Sequence, residues 1–217
     1  MAPKASKGGR RQPQQDRAEA TRTRILSVAA AAFGAAGIAE VPMSRIAADA
    51  GVSVGTLYRY FSDKSAIVAE LTERLLEQIE NDFTSRAFSL SISHDEATPE
   101  YATSIAAEVL AVFATILETQ AGLVNALIRS LQFPEAGLSE FEQRLRLLVK
   151  VILIQALGPR DDRYLDTATD LMINTGFAAV LRTAAQDIGA EQRREALETT
   201  ARMIGVWIIA ENSATAR

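Results

Sequence analysis

Cysteine is absent from these 217 residues, which excludes a disulfide framework, a thiolate zinc site and a cysteine nucleophile. Histidine is nearly absent too. His94 stands alone beside Asp95 and Glu96, so a multi-histidine metal centre within one chain is excluded, and a serine nucleophile would lack its usual base. His94 itself reads as a solvated residue of an acidic loop. No phosphate-cradling Gly-Lys motif occurs, and the sequence points to neither an enzyme nor a bound cofactor or metal. No apolar run approaches the roughly eighteen residues of a membrane span, and the N-terminus has no apolar signal core. The expectation is a soluble, cytoplasmic protein with no membrane partner.

What is present is unevenly distributed. The net charge is −4, but residues 1–65 hold ten Lys or Arg against five acids, while residues 66–217 hold thirteen against twenty-two. One end is therefore basic (+5) and the rest acidic (−9). A localised basic patch suits phosphate contact, and the acidic remainder keeps the particle soluble. Residues 1–19 mix Pro, Gly, Gln and basic side chains without apolar periodicity and read as a flexible basic arm. From Arg22 the pattern changes: Ile25, Leu26, Ala29, Ala32 and Phe33 recur at helical spacing until Gly37, which can end a helix in the left-handed region.

This spacing predicts helices over 20–35, 43–50 and 54–60, then a fourth capped by Ser62 and running to about 83 through Ile67, Leu71, Leu75 and Ile79. Residues 84–98 read as a loop. Pro99 suits the first turn of a helix over 99–119, and further helices are predicted over 121–131, 136–157, 162–186 and 189–211. The chain is thus expected to be all-α with about nine helices: a three-helix head over 20–66 and a larger helical body over 67–217.

The head contains the most specific signal, MSRIAADAGVSVGTLYRYFSDKSAI, Met43 to Ile67. Ile46 and Ala47 face inward where two helices cross over a short turn, and Gly51 can take a positive φ there without a Cβ penalty. Ser53 can cap the next helix, which Leu57 and Phe61, four apart, anchor from behind. The opposite face offers Val54, Gly55, Thr56, Tyr58 and Arg59 to a major groove. Thr56 and Val54 suit base edges, and Arg59 suits guanine or phosphate. Tyr58, Lys64 and Ser44 suit the backbone, which fixes register without reading sequence. Lys4, Lys7, Arg10 and Arg11 add diffuse attraction or enter a minor groove.

From Arg22 to Leu71 this stretch resembles the N-terminal domain of the TetR-like transcriptional regulators, through IA, AGVS, GTLY, YF and K at the family's spacing. The resemblance covers about fifty residues; the remainder agrees in length and helical content. It implies that Ser53 to Tyr60 form the recognition helix, that the protein is a homodimer on a double-stranded, pseudo-palindromic operator, and that it acts as a repressor released by a small effector. Two departures stand out. Pro42-Met43 replaces a frequent Thr or Ser opening the second helix, with Ser44 as the substitute, and Val54 replaces a frequent lysine.

In the body, the last two helices carry wide apolar stripes, among them Leu171, Phe177 and Leu181, then Ile204, Val206, Trp207 and Ile208. A second subunit would cover them; Phe177, Leu181, Ile204, Trp207 and Ile208 are the candidate interface. Between connector and dimer helices, an apolar region with occasional polar members has the character of a ligand pocket for a mostly apolar molecule. Candidate lining residues are Tyr101, Phe113, Glu118, Asn125, Arg129, Gln155 and Asn174. The alternative is an architectural or protein-interaction DNA-binding protein with no small-molecule pocket. Asp162, Asp166 and Asp170, at i,i+4 spacing, read as one solvated face.

Overall fold

A computed structural model describes residues 12–89, 98–130, 135–185 and 188–215. Every regular element among them is a helix, nine in all. The first, α1 (Gln12–Ala36), starts well before the expected position. Residues 15–20 lie on the surface, so they have no apolar period to betray them, yet Gln, Glu, Arg and Ala are good helix formers. The expected arm thus loses its residues 12–19 to α1, and Lys4, Lys7, Arg10 and Arg11 fall outside the described residues. Gly37, at φ 85°, ends the helix as expected.

Two short helices follow, α2 (Met43–Asp49) and α3 (Val54–Tyr60). Pro42 precedes α2 in extended conformation and no side chain caps it, so Ser44 does not replace the missing cap. At the corner Gly51 adopts φ 65°, a conformation costly for any residue with a Cβ. The amides of Gly51 and Val52 close the turn on the carbonyls of Ala48 and Ala47, both at 3.0 Å.

The connector α4 (Lys64–Ser89) is longer than expected and absorbs residues assigned to a loop. Its cap is Asp63, not Ser62: the Asp63 Oδ1 accepts the Ala66 amide at 2.8 Å, while the Ser62 hydroxyl donates to the same carboxylate at 3.1 Å. A carboxylate at this position also meets the positive end of the helix dipole, which a hydroxyl does not. Residues 90–97 of the expected loop, with His94, lie outside the described residues.

The body comprises α5 (Pro99–Thr119), α6 (Ala121–Ser130), α7 (Glu135–Leu157), α8 (Asp162–Ala185) and α9 (Ala190–Thr215). Thr98 caps α5, accepting the Tyr101 amide at 3.1 Å, with Pro99 in the first turn. The three acids on α8 are not merely solvated. Lys150 of α7 reaches Asp162 at 3.2 Å and Asp166 at 2.8 Å, and Arg146 pairs with Asp170. With their carboxylates half or more exposed, such pairs contribute little net stability.

One buried apolar cluster runs without a break from Ile25 in α1, through Ile46, Leu57, Ile67, Leu75 and Phe83, to Val180 and Ala201 in the body. Head and body therefore share a core along α4. A smaller cluster around Leu153, Leu157, Leu165 and Ile208 closes the far end of the body. Head and body also meet where α1 crosses α6: a Cβ on Gly34 would stand 3.0 Å from the Gly122 backbone. No single described helix is long and apolar enough to cross a membrane.

Candidate functional site

The outer face of α3 is assembled by its inner one. Leu57 is fully buried and Phe61 nearly so, packed with Ile46, Ala47 and Ile67. That anchoring leaves Val54 (43% exposed) and Tyr58 (51%) facing outward. Arg59 is also exposed, and among the described residues no carboxylate pairs with it, Asp63 being engaged at the α4 cap. Thr56 is half-buried; its amide donates to the Ser53 Oγ at 3.0 Å, and the two hydroxyls lie 2.8 Å apart. Ser53 therefore both caps α3 and orients Thr56. A Cβ on Gly55 would meet nothing within 4 Å, so internal packing does not require the glycine there.

Lys64, expected at the DNA backbone, is held by the protein itself. The Lys64 ammonium donates to the carbonyls of Ile38 at 2.7 Å and Ala39 at 2.9 Å, tying the α1–α2 connection to the start of α4. Two of its three protons are thereby committed. Ser44 is exposed on α2.

An ion-pair network between α1 and α4 escaped the sequence reading. Arg22 Nε donates to both Glu70 oxygens, at 2.8 and 2.9 Å, its Nη2 also reaches that carboxylate, and the guanidinium carbon lies 5.0 Å from the Phe61 ring centroid. Arg74 bridges Glu70 and Glu19 at 3.0 and 3.2 Å. The hydrogen bonds from Arg22 hold the Glu70 carboxyl below its ordinary range, against the opposing effect of burial. Forty-eight residues separate Arg22 from Glu70, a distance no periodicity reveals.

This network has a pH signature. Because the folded-state pKa of Glu70 is depressed, its contribution to stability is complete above the unfolded pKa and is lost as pH falls through the folded value. The difference in melting temperature between the natural protein and Glu70→Gln should be steady near neutrality and narrow as pH drops below about 4. A difference that widened with acidification would contradict the assignment.

The body holds a partly open cavity of about 90 Å³. Its wall comes from Phe83 of α4; Ile105, Leu110 and Phe113 of α5; Leu145, Val149 and Ile152 of α7; Met172, Ile173 and Gly176 of α8; and Ile204 and Ile208 of α9, among others equally apolar. The Phe83 and Phe113 rings lie 5.2 Å apart between centroids, tilted by 49°.

Of the expected lining residues, only Phe113 is in the wall. Tyr101 is half-buried beyond it, and Asn125 lies on α6, which contributes no lining residue. Glu118 is exposed and pairs with Arg193 at 3.5 Å. Gln155 is exposed, as is Asn174, whose amide donates to the Asp170 carbonyl at 2.8 Å. The Arg129 side chain falls outside the described residues. The polar members of these helices point away from the cavity because burying them there would leave their hydrogen bonds unmade.

The candidate interface divides likewise. Ile204 and Ile208 line the cavity and Trp207 is half-buried against the smaller cluster; the side chains of Phe177 and Leu181 are outside the described residues. The outward apolar residues of α8 and α9 are Leu171, Met203 (61% exposed) and Val206 (60%). Among the described residues no cluster of acids or histidines could hold a metal.

Residues 25–71 match the family model described as bacterial regulatory proteins, tetR family. An HTH-type transcriptional regulator of Staphylococcus aureus strain USA300 is 34% identical over 85 residues, which are 36% of this chain and 46% of that protein. The chain thus matches about half the length of this curated relative. A tetR-family transcriptional regulator from Streptomyces coelicolor superposes with a TM-score of 0.67 at 17% identity, covering 91% of this chain and 83% of that one. The transcriptional regulator FadR from Bacillus subtilis, solved in complex with stearoyl-CoA, gives a TM-score of 0.63 at 17% identity and covers 87% and 98%. At such identities the likeness carries the fold.

Proposed function

We propose that this chain, whose residues 25–71 match the tetR-family model, is a tetR-family homodimeric transcriptional regulator whose operator affinity is set by a small, mostly apolar molecule in its body. The observation that carries the DNA-binding half is the division of α3: Leu57 and Phe61 hold it from inside, while Val54, Tyr58 and Arg59 face out. A helix of this width enters a major groove. Thr56, oriented by Ser53, and Val54 meet base edges. Gly55, with open space before it, lets the backbone approach closely. Arg59 takes guanine or phosphate, Tyr58 and Ser44 take phosphate, and Lys64 adds positive field from its place against the α1–α2 connection.

Head (20–66, extended back to residue 12) and body (67–217) act as two units joined by α4. Pairing through α8 and α9, with Leu171, Met203 and Val206 joining Phe177, Leu181 and Trp207, would set two heads about 34–36 Å apart on a two-fold operator. Phe83 gives the mechanism its handle, because it is both cavity wall and part of α4. An occupant that displaces it tilts the connector and changes the spacing of the heads. Release then requires only a few kcal/mol of preference for one spacing over the other. FadR, which shares the fold, holds an acyl-CoA, and the apolar cavity favours this reading over a body that serves only protein contacts.

Selection of bound duplexes from random DNA supplies the operator and tests the orientation of α3. Tyr58→Phe should weaken binding evenly across sequences, Thr56→Ala should change the preferred bases, and Arg59→Ala should cost about 1–3 kcal/mol of affinity. Negligible affinity for every duplex at low salt would remove the proposal; indifference to all three changes would mean that another face meets DNA.

A further inference from the structure

We infer that Arg22 is a positioning residue for DNA recognition: from α1 it holds the end of α3 through the face of the Phe61 ring, an inference that rests on α3 being the helix that meets DNA. Phe61 is where α3 stops. Its backbone is extended, at φ −138° and ψ 120°, while its amide still donates to the Leu57 carbonyl at 3.0 Å. The ring is therefore tied to the turn that carries Tyr58 and Arg59. The Arg22 guanidinium carbon lies 5.0 Å from the centroid of that ring, within reach of a cation–π contact. The guanidinium is not free to swing away. Its Nε donates to both Glu70 oxygens, at 2.8 and 2.9 Å, and its Nη2 reaches the same carboxylate. Arg74 in turn bonds Glu70 at 3.0 Å and Glu19 of α1 at 3.2 Å, so the carboxylate is itself held between α1 and α4.

Burial of Phe61 does not supply this orientation. The ring is enclosed, but the hydrophobic effect is non-directional; it fixes how deep a side chain sits rather than how it is turned. A seven-residue helix has little stability of its own with which to resist a tilt. The first end of α3 is fixed by Ser53, whose hydroxyl oxygen accepts the Thr56 amide at 3.0 Å. At the last end the directional contacts are the Arg22 cation over the ring and the carboxylate that clasps it. With its charge neutralised by Glu70, Arg22 serves DNA binding without contacting a phosphate.

A double-mutant cycle on the full-length protein tests this, read as affinity for the selected operator by fluorescence anisotropy at a temperature where each variant is folded. Arg22→Met keeps an unbranched stem and removes the guanidinium; Phe61→Leu keeps an apolar plug and removes the ring. Each should bind the operator about three- to tenfold more weakly, and Arg22→Met should cost nothing further once the ring is gone. The slope of log affinity against log salt should stay that of the natural protein, because no phosphate contact is lost. Three results overturn the inference: affinity unchanged in Arg22→Met, losses that simply multiply in the double variant, or a salt slope shallower by about one, which would make Arg22 a phosphate contact. If either variant fails to fold or binds too weakly to measure, Arg22→Lys decides. Lysine keeps the charge beside Glu70 but has no planar fork to clasp it and lie over the ring, so affinity should fall about threefold; an affinity equal to the natural protein's overturns the inference as well. Should the operator be bound yet Thr56→Ala, Tyr58→Phe and Arg59→Ala all leave that binding untouched, what fails instead is the assignment of α3 to DNA.

Discussion

Leu57→Ala should abolish DNA binding although the side chain it removes never reaches solvent. Leu57 is the buried anchor of α3, completely enclosed among head residues that include Ile46, Ala47 and Phe61. Truncating a leucine in such a site costs about 2–5 kcal/mol, part from lost transfer energy and part from the cavity left behind. A seven-residue helix has little stability of its own, so the loss falls on α3 and its turn before it reaches the body. The measurement is paired: operator affinity by fluorescence anisotropy, and amide exchange across residues 43–61 against α5 and α9. Affinity should disappear while exchange accelerates in the head and stays slow in the body. Near-normal affinity, or equal acceleration throughout, would show that α3 does not depend on this anchor.

The same local logic explains why the head was legible in the sequence and much of the body was not. A tight corner between two short helices constrains individual residues: Gly51 at φ 65°, Ser53 as the cap and Leu57 and Phe61 four apart are each dictated by their immediate neighbours. Boundaries were less secure where two residues could perform one task, as with Ser62 and Asp63. In the body the difficulty was angular. A polar residue in an apolar stretch looks internal by composition, but each step along a helix turns the side chain by about 100°. On α7 the cavity face recurs at Leu145, Val149, Ile152 and Ala156, and Gln155 falls off that row. Ile204 and Ile208, expected at the interface, line the cavity instead of standing on the outer face of α9, because a helix apolar on two sides does not say which side meets its own core. Met203 and Val206 hold the outward positions. Contacts between distant segments, such as Arg22 with Glu70, leave no periodic trace at all.

Phe83→Ala should separate ligand binding from DNA release. Phe83 is buried, lines the cavity and belongs to α4, whose other end packs in the head through Ile67 and Leu71. Removing the ring should cost about 3–5 kcal/mol of stability, including about 0.5–1.5 kcal/mol from its pairing with Phe113. The new void opens into the existing one, so an occupant is still admitted and wider ones become acceptable. What disappears is the surface through which an occupant pushes on α4. The ratio of operator affinities without and with a saturating apolar effector should fall toward unity in Phe83→Ala, a loss of the 1–3 kcal/mol typical of such coupling, roughly 5- to 150-fold. Phe83→Met, which keeps a long apolar side chain against the cavity, should retain a measurable part of it. Should Phe83→Ala release its operator as the natural protein does, the signal passes by another route, and the α1–α6 crossing at Gly34 and Gly122 becomes the place to look for it.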